Sequence, residues 1–370
     1  MSLRAEFVML ASREGANVRD LCRRYGISAQ AGYKWLRRAR SAPEEGFADR
    51  SRRPHSSPGR TAEAVEAQVL ALRQAHPSWG GRKLARRLRD LGEPRVPAAS
   101  TITEILRRHE RLDEAERIKH RATIRFERPQ PNELWQMDFK GHFAHDAGRC
   151  HPLTLLDDCS RFSLCLEACA DERGETVADR LVPTFERYGL PCCMLFDNGA
   201  PWGHGPDDRY TPLVVWLLRL GIAISHSRPY HPQTLGKDER FHRSLKAEVL
   251  QGRRFRDLEQ CQSAFTAWRQ VYNLERPHEA LDMAVPASRY QPSARPYPAS
   301  LPTIEYAAGD RVRKVQHAGR VDFMGRTWRL PRAFRGYPVA FRPTAQDGLW
   351  KVFFMTHEIT QIDLRRTEDQ

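Results

Sequence analysis

The chain has 370 residues, enough to bury more than one core, and a formal net charge of +14 at neutral pH that suits a polyanionic partner. No run of about 18 apolar residues occurs, which excludes a membrane-spanning helix, and the first residues lack the unbroken apolar stretch of a signal peptide. The eight cysteines lie mostly in hydrophobic segments and do not make a disulfide framework, so reduced thiols and a cytoplasmic location are expected.

The charge is unevenly spread. Residues 1–130 carry a net +12, residues 131–300 a net −2 and residues 301–370 a net +4. A basic front and a weakly acidic middle point to a polyanion gripped outside the centre and acid chemistry within it.

Residues 1–45 predict a helix-turn-helix domain. "AEFVMLASREG", "VRDLCRRYG" behind Asn17, and "AQAGYKWLRRARS" behind Ser28 read as three short helices with polar N-caps. The third carries Lys34, Arg37 and Arg38, with Gln30, Tyr33 and Lys34 expected toward a DNA groove and Trp35 and Leu36 packed inward. Residues 46–60 are rich in Arg, Ser and Pro and predict a basic linker whose Arg50, Arg52 and Arg53 track a phosphate backbone. Residues 61–121 predict a second helix-turn-helix-like domain, its middle helix "WGGRKLARRLRDLG" placing Leu84, Leu88 and Leu91 on one side and basic residues around the rest.

From residue 122 to about 290 the pattern changes to strands alternating with helices. "LWQMDFKG", "HPLTLLDD" and "RFSLCLEAC" predict three antiparallel strands. Helix "ETVADRLVPTFERYG", strand "PCCMLFD", helix "DDRYTPLVVWLLRLG", strand "IAISHS" and helix "KDERFHRSLKAEVL" follow, describing a mixed sheet with helices on its faces. Asp138 ends the first strand and Asp197 ends the fourth. If those strands are neighbours, both carboxylates meet at one end of the sheet, where open α/β sheets hold ligands. As a local feature, Asp197 before Asn198-Gly199 is also an Asx-turn residue.

Glu239 opens the last helix, on a face shared with His242, Arg243 and Lys246. Three converging acids repel one another unless divalent cations lie between them, and hard oxygen ligands select Mg²⁺, with Mn²⁺ as a substitute. Two such ions ~4 Å apart can activate an attacking hydroxyl and stabilise the leaving 3′-oxygen of a phosphodiester. Lys237, Arg243 and Lys246 are expected to hold the DNA strand, and His242 either donates to a phosphate or is an ordinary surface histidine. Asp157 and Asp158 follow a strand running to the opposite end of the sheet and are expected to be turn or supporting residues. Asp238 points away if Glu239 points in.

"LWQMDFKG", "LLDDCSRF", "LFDNGAPW", "RPYHPQTLGKDERFHRSLK" and "YNLERPHEALDMAVPASRY", in this order, resemble bacterial insertion-sequence transposases with the retroviral-integrase-type catalytic core. The resemblance implies a ribonuclease-H-like fold and a catalytic, metal-binding triad of Asp138, Asp197 and Glu239. It also implies cleavage at the terminal inverted repeats of a mobile element and strand transfer into target DNA, by a homodimer or larger assembly that is nucleoid-associated when bound. The 41 residues between Asp197 and Glu239 exceed the family's usual spacing, and "APWGHGPDDRYT" is the expected insertion, a flap over the site. The integrase zinc module is absent, since no cysteine lies between Cys22 and Cys150. Presence of all three acids favours an active enzyme over a catalytically silent DNA-binding regulator descended from one.

Residues 273–300 lose periodicity and gather Pro, predicting a linker. Within 291–370, alternating segments broken at Gly325 and at Asp347-Gly348 predict about five short strands in a small SH3-like β-barrel.

Overall fold

The computed structural model describes residues 2–41, 59–112, 127–203, 205, 209–227 and 236–365. Arg50, Arg52 and Arg53 of the linker, and the whole loop "RPYHPQTL", lie outside the described residues. The chain divides into two units, residues 1–60 and 61–370.

The first unit is the three-helix module. α1 (Leu3–Ala11), α2 (Val18–Arg24) and α3 (Ala29–Ser41) start behind Ser2, Asn17 and Ser28, whose side-chain oxygens accept the Ala5, Asp20 and Ala31 amides at 3.3, 3.1 and 3.2 Å. Phe7, Val8, Ala11, Cys22 and Leu36 form its core, while Trp35 is only partly buried and stacks under the Arg4 and Arg38 guanidiniums at 4.2 and 5.1 Å.

In the second unit, α4 (Glu63–Ala75), α5 (Gly81–Asp90) and α6 (Ala99–Arg108) enclose Val69, Trp79, Leu84, Leu88, Ile102, Ile105 and Leu106. Leu91, expected on the apolar side, ends α5 and is exposed.

The centre of this unit is a six-stranded sheet. Its strands are β1 (Leu134–Phe139), β2 (Phe143–His145), β3 (Gly148–Asp157), β4 (Ser163–Cys169), β5 (Cys193–Phe196) and β6 (Ala223–His226), in the order β2-β3-β1-β5-β6 with β4 against β3. β1 runs antiparallel to β3 and parallel to β5, and β5 parallel to β6. Alternation along β1 sends Trp135 and Met137 into one core with α7 (Gly174–Tyr188) and α8 (Pro212–Arg219). Gln136 and Asp138 face the opposite side, covered by α9 (Gly236–Leu245), a π-helical turn at Lys246–Leu250 and α10 (Leu258–Leu274), which pack Phe241, Leu245, Phe265, Trp268 and Tyr272 against Cys150, Leu156 and Leu166.

α10 has an Asp257 N-cap, whose carboxylate accepts the Gln260 amide at 2.8 Å, and apolar residues at Cys261, Phe265, Trp268 and Tyr272. The stretch expected as a linker is instead fastened to the sheet domain: Tyr290 stacks on Phe162 with ring centres 4.3 Å apart, and Arg295 donates to the Pro191, Leu220 and Gly221 carbonyls at 2.7–3.1 Å.

The C-terminal strands are β7 (Arg311–Lys314), β8 (Arg320–Phe323), β9 (Arg326–Arg329), β10 (Pro338–Pro343), β11 (Leu349–Phe354) and β12 (His357–Asp363). They form an antiparallel sheet in the order β12-β11-β10-β7 and a separate β8-β9 hairpin. No pairing among the described residues joins β12 back to β7, so the expected closed barrel is an open sheet. Phe334, Phe341 and Phe354 are buried with it, in a core that is continuous with that of α8 and includes the Tyr210–Phe334 ring contact.

Candidate active site

The parallel pairing of β1 with β5 brings Leu134, Trp135 and Gln136 opposite Cys193, Met194 and Leu195. Asp138, near the end of β1, and Asp197, immediately after β5, therefore stand on adjacent strands at the same carboxyl edge of the sheet. Asp197 also makes its turn: its Oδ1 accepts the Gly199 amide at 2.9 Å, while its carbonyl meets His226 Nδ1 at 2.8 Å. Trp202, buried beneath the turn, stacks on Phe139 and Phe196 and ties the two strand ends to each other.

Asp138 is the perturbed group. Burial pushes its carboxyl up to about 7, and the charges of Asp197, Glu172 and Glu239 push in the same direction, against a hydrogen bond from the Phe139 amide. Glu239, on the first turn of α9, is exposed, and no Lys or Arg among the described residues pairs with Asp138, Asp197 or Glu239. Asp138 thus feels the charges of both other acids, and among the described residues none of the three has a Lys or Arg partner. They are not drawn into contact: among the described residues, no three His, Cys, Asp or Glu side chains are gathered closely enough to hold a metal ion. In donor chemistry the set suits a hard divalent cation, since all three side chains offer carboxylate oxygens.

Asp238 does not turn outward. It is fully buried, neither carboxylate oxygen has a hydrogen-bond partner, and burial with the charges of Asp138 and Asp158 raises its pKa well above the ordinary value. Asp157 accepts the Asn132 and Ser160 amides and the Ser160 hydroxyl, and so closes the turn after β3. Asp158 accepts Gln136 Nε2 at 2.6 Å and the Arg128 amide at 2.7 Å, and pairs with Lys237.

Of the residues expected to contact DNA near this site, Arg243 and Lys246 are exposed on α9 and the turn after it. Lys237 is partly buried against Asp158. His242 is turned inward: its Nε2 lies 2.9 Å from Thr154 Oγ1 and its Nδ1 3.9 Å from Asp138 Oδ2, and burial with nearby Lys140 lowers its pKa to about 4. Lys140, two residues past Asp138 and in the field of Lys246, was missed; its place just beyond an acid at a strand end was the available signal. In the first unit, Gln30, Tyr33, Lys34 and Arg37 are exposed on α3, with Arg38 half-buried over Trp35.

Family models match nearly every part of the chain: a helix-turn-helix domain at residues 3–55, a homeodomain-like domain at 31–106, the integrase core domain at 128–232 and again at 220–286, and the IS481 family transposase C-terminal domain at 310–370. The mixed sheet of residues 134–226 and the helices around it fall within the integrase core matches. Helix-turn-helix domains thus precede an integrase core, and a match to the C-terminal domain of IS481 family transposases follows it.

Among similar proteins, an uncharacterized protein of insertion element IS476 from Xanthomonas euvesicatoria is 27% identical over 62% of this chain and 65% of its own length. A second, from insertion element IS407 of Burkholderia multivorans, is 27% identical over 46% of this chain and 62% of its own. The candidate transposase of insertion sequence element IS5376 from Geobacillus stearothermophilus is 23% identical over 68% and 64%. The chain thus spans less than two thirds of the length of each of these relatives. Among solved structures, the magnesium complex of the HTLV-2 integrase catalytic core domain covers 44% of this chain and 99% of its own, at 14% identity and a TM-score of 0.35. A chain of the simian T-cell lymphotropic virus intasome covers 81% and 100%, at 15% identity and a TM-score of 0.38. No helix among the described residues is long and apolar enough to cross a membrane.

Proposed function

We propose that the protein is an active DDE transposase, cutting DNA at the ends of a mobile element and joining those ends to target DNA, with Asp138, Asp197 and Glu239 as its catalytic carboxylates. The observation that carries this reading is the placement of Asp138 and Asp197 on neighbouring parallel strands, with the Asp138 carboxyl pushed up to about 7 by burial and by the charges of Asp197, Glu172 and Glu239. A carboxyl raised by burial and by neighbouring acids is in an environment that a bound cation would relieve.

Two Mg²⁺ ions, or Mn²⁺ in their place, would be held by these three carboxylates and would supply activation of the attacking hydroxyl and charge stabilisation at the leaving 3′-oxygen. The chain's own residues do the rest. Asp138 and Asp197 present oxygens from the rigid sheet edge, and Glu239, exposed and unclaimed by other described side chains, supplies the third from α9. Lys140, Arg243 and Lys246 flank the acids and hold the phosphodiester by charge. Gln30, Tyr33, Lys34 and Arg37 on α3 read the terminal repeats, and a dimer or larger assembly brings two ends together.

Purified protein with Mg²⁺ and duplexes carrying the element's ends should cut and join strands, whereas Glu239→Gln should bind the same duplexes without joining them. Wild-type protein that binds ends and never joins them would instead mark a catalytically silent DNA-binding regulator.

A further inference from the structure

No described side chain holds Glu239, yet the helix that carries it is fastened on both sides of it. Two residues earlier, Lys237 Nζ pairs with the fully buried Asp158 carboxylate and lies 3.3 Å from the Asp158 carbonyl. Asp158 is itself fixed by Gln136 Nε2, which comes from β1 two residues before Asp138. Three residues after Glu239, His242 Nε2 meets Thr154 Oγ1, and Thr154 stands directly opposite Asp138 in the β1-β3 register. The Thr154 hydroxyl donates to the Asp138 carbonyl at 2.8 Å. A hydroxyl has one proton to give, so His242 is the donor in its bond to Thr154 and carries its hydrogen on Nε2.

Apolar packing by Phe241 and Leu245 keeps α9 on the sheet but is non-directional, leaving rotation and sliding of the helix weakly specified. Two buried polar bonds on either side of Glu239 remove that freedom, because shifting the helix leaves their partners unsatisfied in a low-dielectric environment. We propose that the pairs Lys237–Asp158 and His242–Thr154 form a two-point clamp that sets α9 over β1 and so presents Glu239 to the Asp138–Asp197 edge. This rests on the transposase reading of Glu239. Thr154, Asp158, Lys237 and His242 are then positioning residues, and the chemistry stays with the three acids.

The test uses the full chain carrying Thr154→Val, which keeps the side-chain shape and removes the hydroxyl, with Lys237→Met as a second variant. In metal-free protein, amide hydrogen exchange across Gly236–Leu245 should quicken by about five- to tenfold, the effect of losing one net hydrogen bond on local opening. Exchange in α10 and affinity for end duplexes should stay at wild-type values. Strand joining should fall, its half-saturating Mg²⁺ concentration should rise, and Thr154→Ser should restore both. Unchanged α9 exchange in both variants overturns the clamp, as does wild-type joining by a protein whose α9 has loosened. If wild type and Glu239→Gln join equally, the transposase reading fails, and the exchange measurement still decides whether α9 is clamped.

Discussion

Asp138 costs the folded chain stability. Its carboxyl is pushed from the ordinary 3.8 to about 7, first by burial and then by the neighbouring acids. A group raised in this way contributes stability that is complete below its ordinary pKa and is lost as pH rises through about 7. Asp138→Asn should therefore raise the melting temperature of metal-free protein at about pH 8, by an amount equivalent to ~1–2 kcal/mol after allowance for solvent screening. It should also flatten the fall in stability that wild type shows between about pH 4 and pH 8. Added Mg²⁺ should raise the wild-type melting temperature by mass action and move the mutant less. A mutant melting at or below wild type at pH 8 contradicts this account. The two aspartates were legible in the sequence because an acid closing a hydrophobic strand is a local pattern. The partners of Lys237 and His242 were not, since Asp158 and Thr154 are named only by the β1-β3 register and the seating of α9, both non-local. For the same reason Asp238 and Glu239 could not be distinguished by burial until the helix was placed.

α5 shows how an element's charges can be put to a different use from the one its composition suggests. Its basic residues suited DNA, yet Arg82 pairs with Glu279 at 3.0 Å and Arg87 with Glu275 at 2.5 Å, while Lys83 lies among Arg276, Glu248, Arg240 and Glu279. Burial, aided by Arg276, lowers the Lys83 amine from 10.5 to about 7. The unfolded chain then binds a proton that the folded chain lacks between about pH 7 and 10.5, so this group makes stability rise with pH across that window. Lys83→Met should abolish that rise and stabilise the protein near pH 7 by ~1–2 kcal/mol, read by denaturant melts at several pH values. In the first unit, Gly32 is where α3 crosses α1 and α2: a Cβ there would strike Cys22 Sγ and come within 2.9 Å of Phe7 Cζ. Gly32→Ala should therefore unfold or loosen this module at a cost of ~1–3 kcal/mol and weaken end binding; an unaltered melting curve would remove the close-packing argument. Helices α1 to α3 were legible from their caps and spacing. α10 carries the same signals, an Asp257 cap and apolar residues at helical intervals. The C-terminal strands were legible from alternation and turns, whereas closure into a barrel depends on the pairing of β7 with β12, which alternation does not encode.

At the scale of the whole chain, residues 61–112 belong to the same unit as the sheet domain, and the contact between them falls on the helices that follow Glu239. Ser78 donates to Glu248 at 2.6 Å, and Glu248, in the π turn continuing α9, also receives Trp268 Nε1 at 2.7 Å and Arg276 Nε at 3.1 Å. Val271 of α10 packs into the core of the second helical module, beside the Arg87–Glu275 pair. That module is therefore held at a fixed distance from the acids, and loosening the contact should harm joining more than binding. Arg87→Glu sets two carboxylates against each other at this interface; it should lower the melting temperature and slow joining while end affinity changes little. Adding Glu275→Arg restores the pair with its charges exchanged. Because the pair is partly exposed, the recovered coupling should be about 0.5–1 kcal/mol in a double-mutant cycle on stability. Joining should recover in step, since both readouts depend on one interface. A double variant no better than Arg87→Glu alone would show that the pair does not hold the module to the core, leaving Ser78 and Val271 as its contacts there.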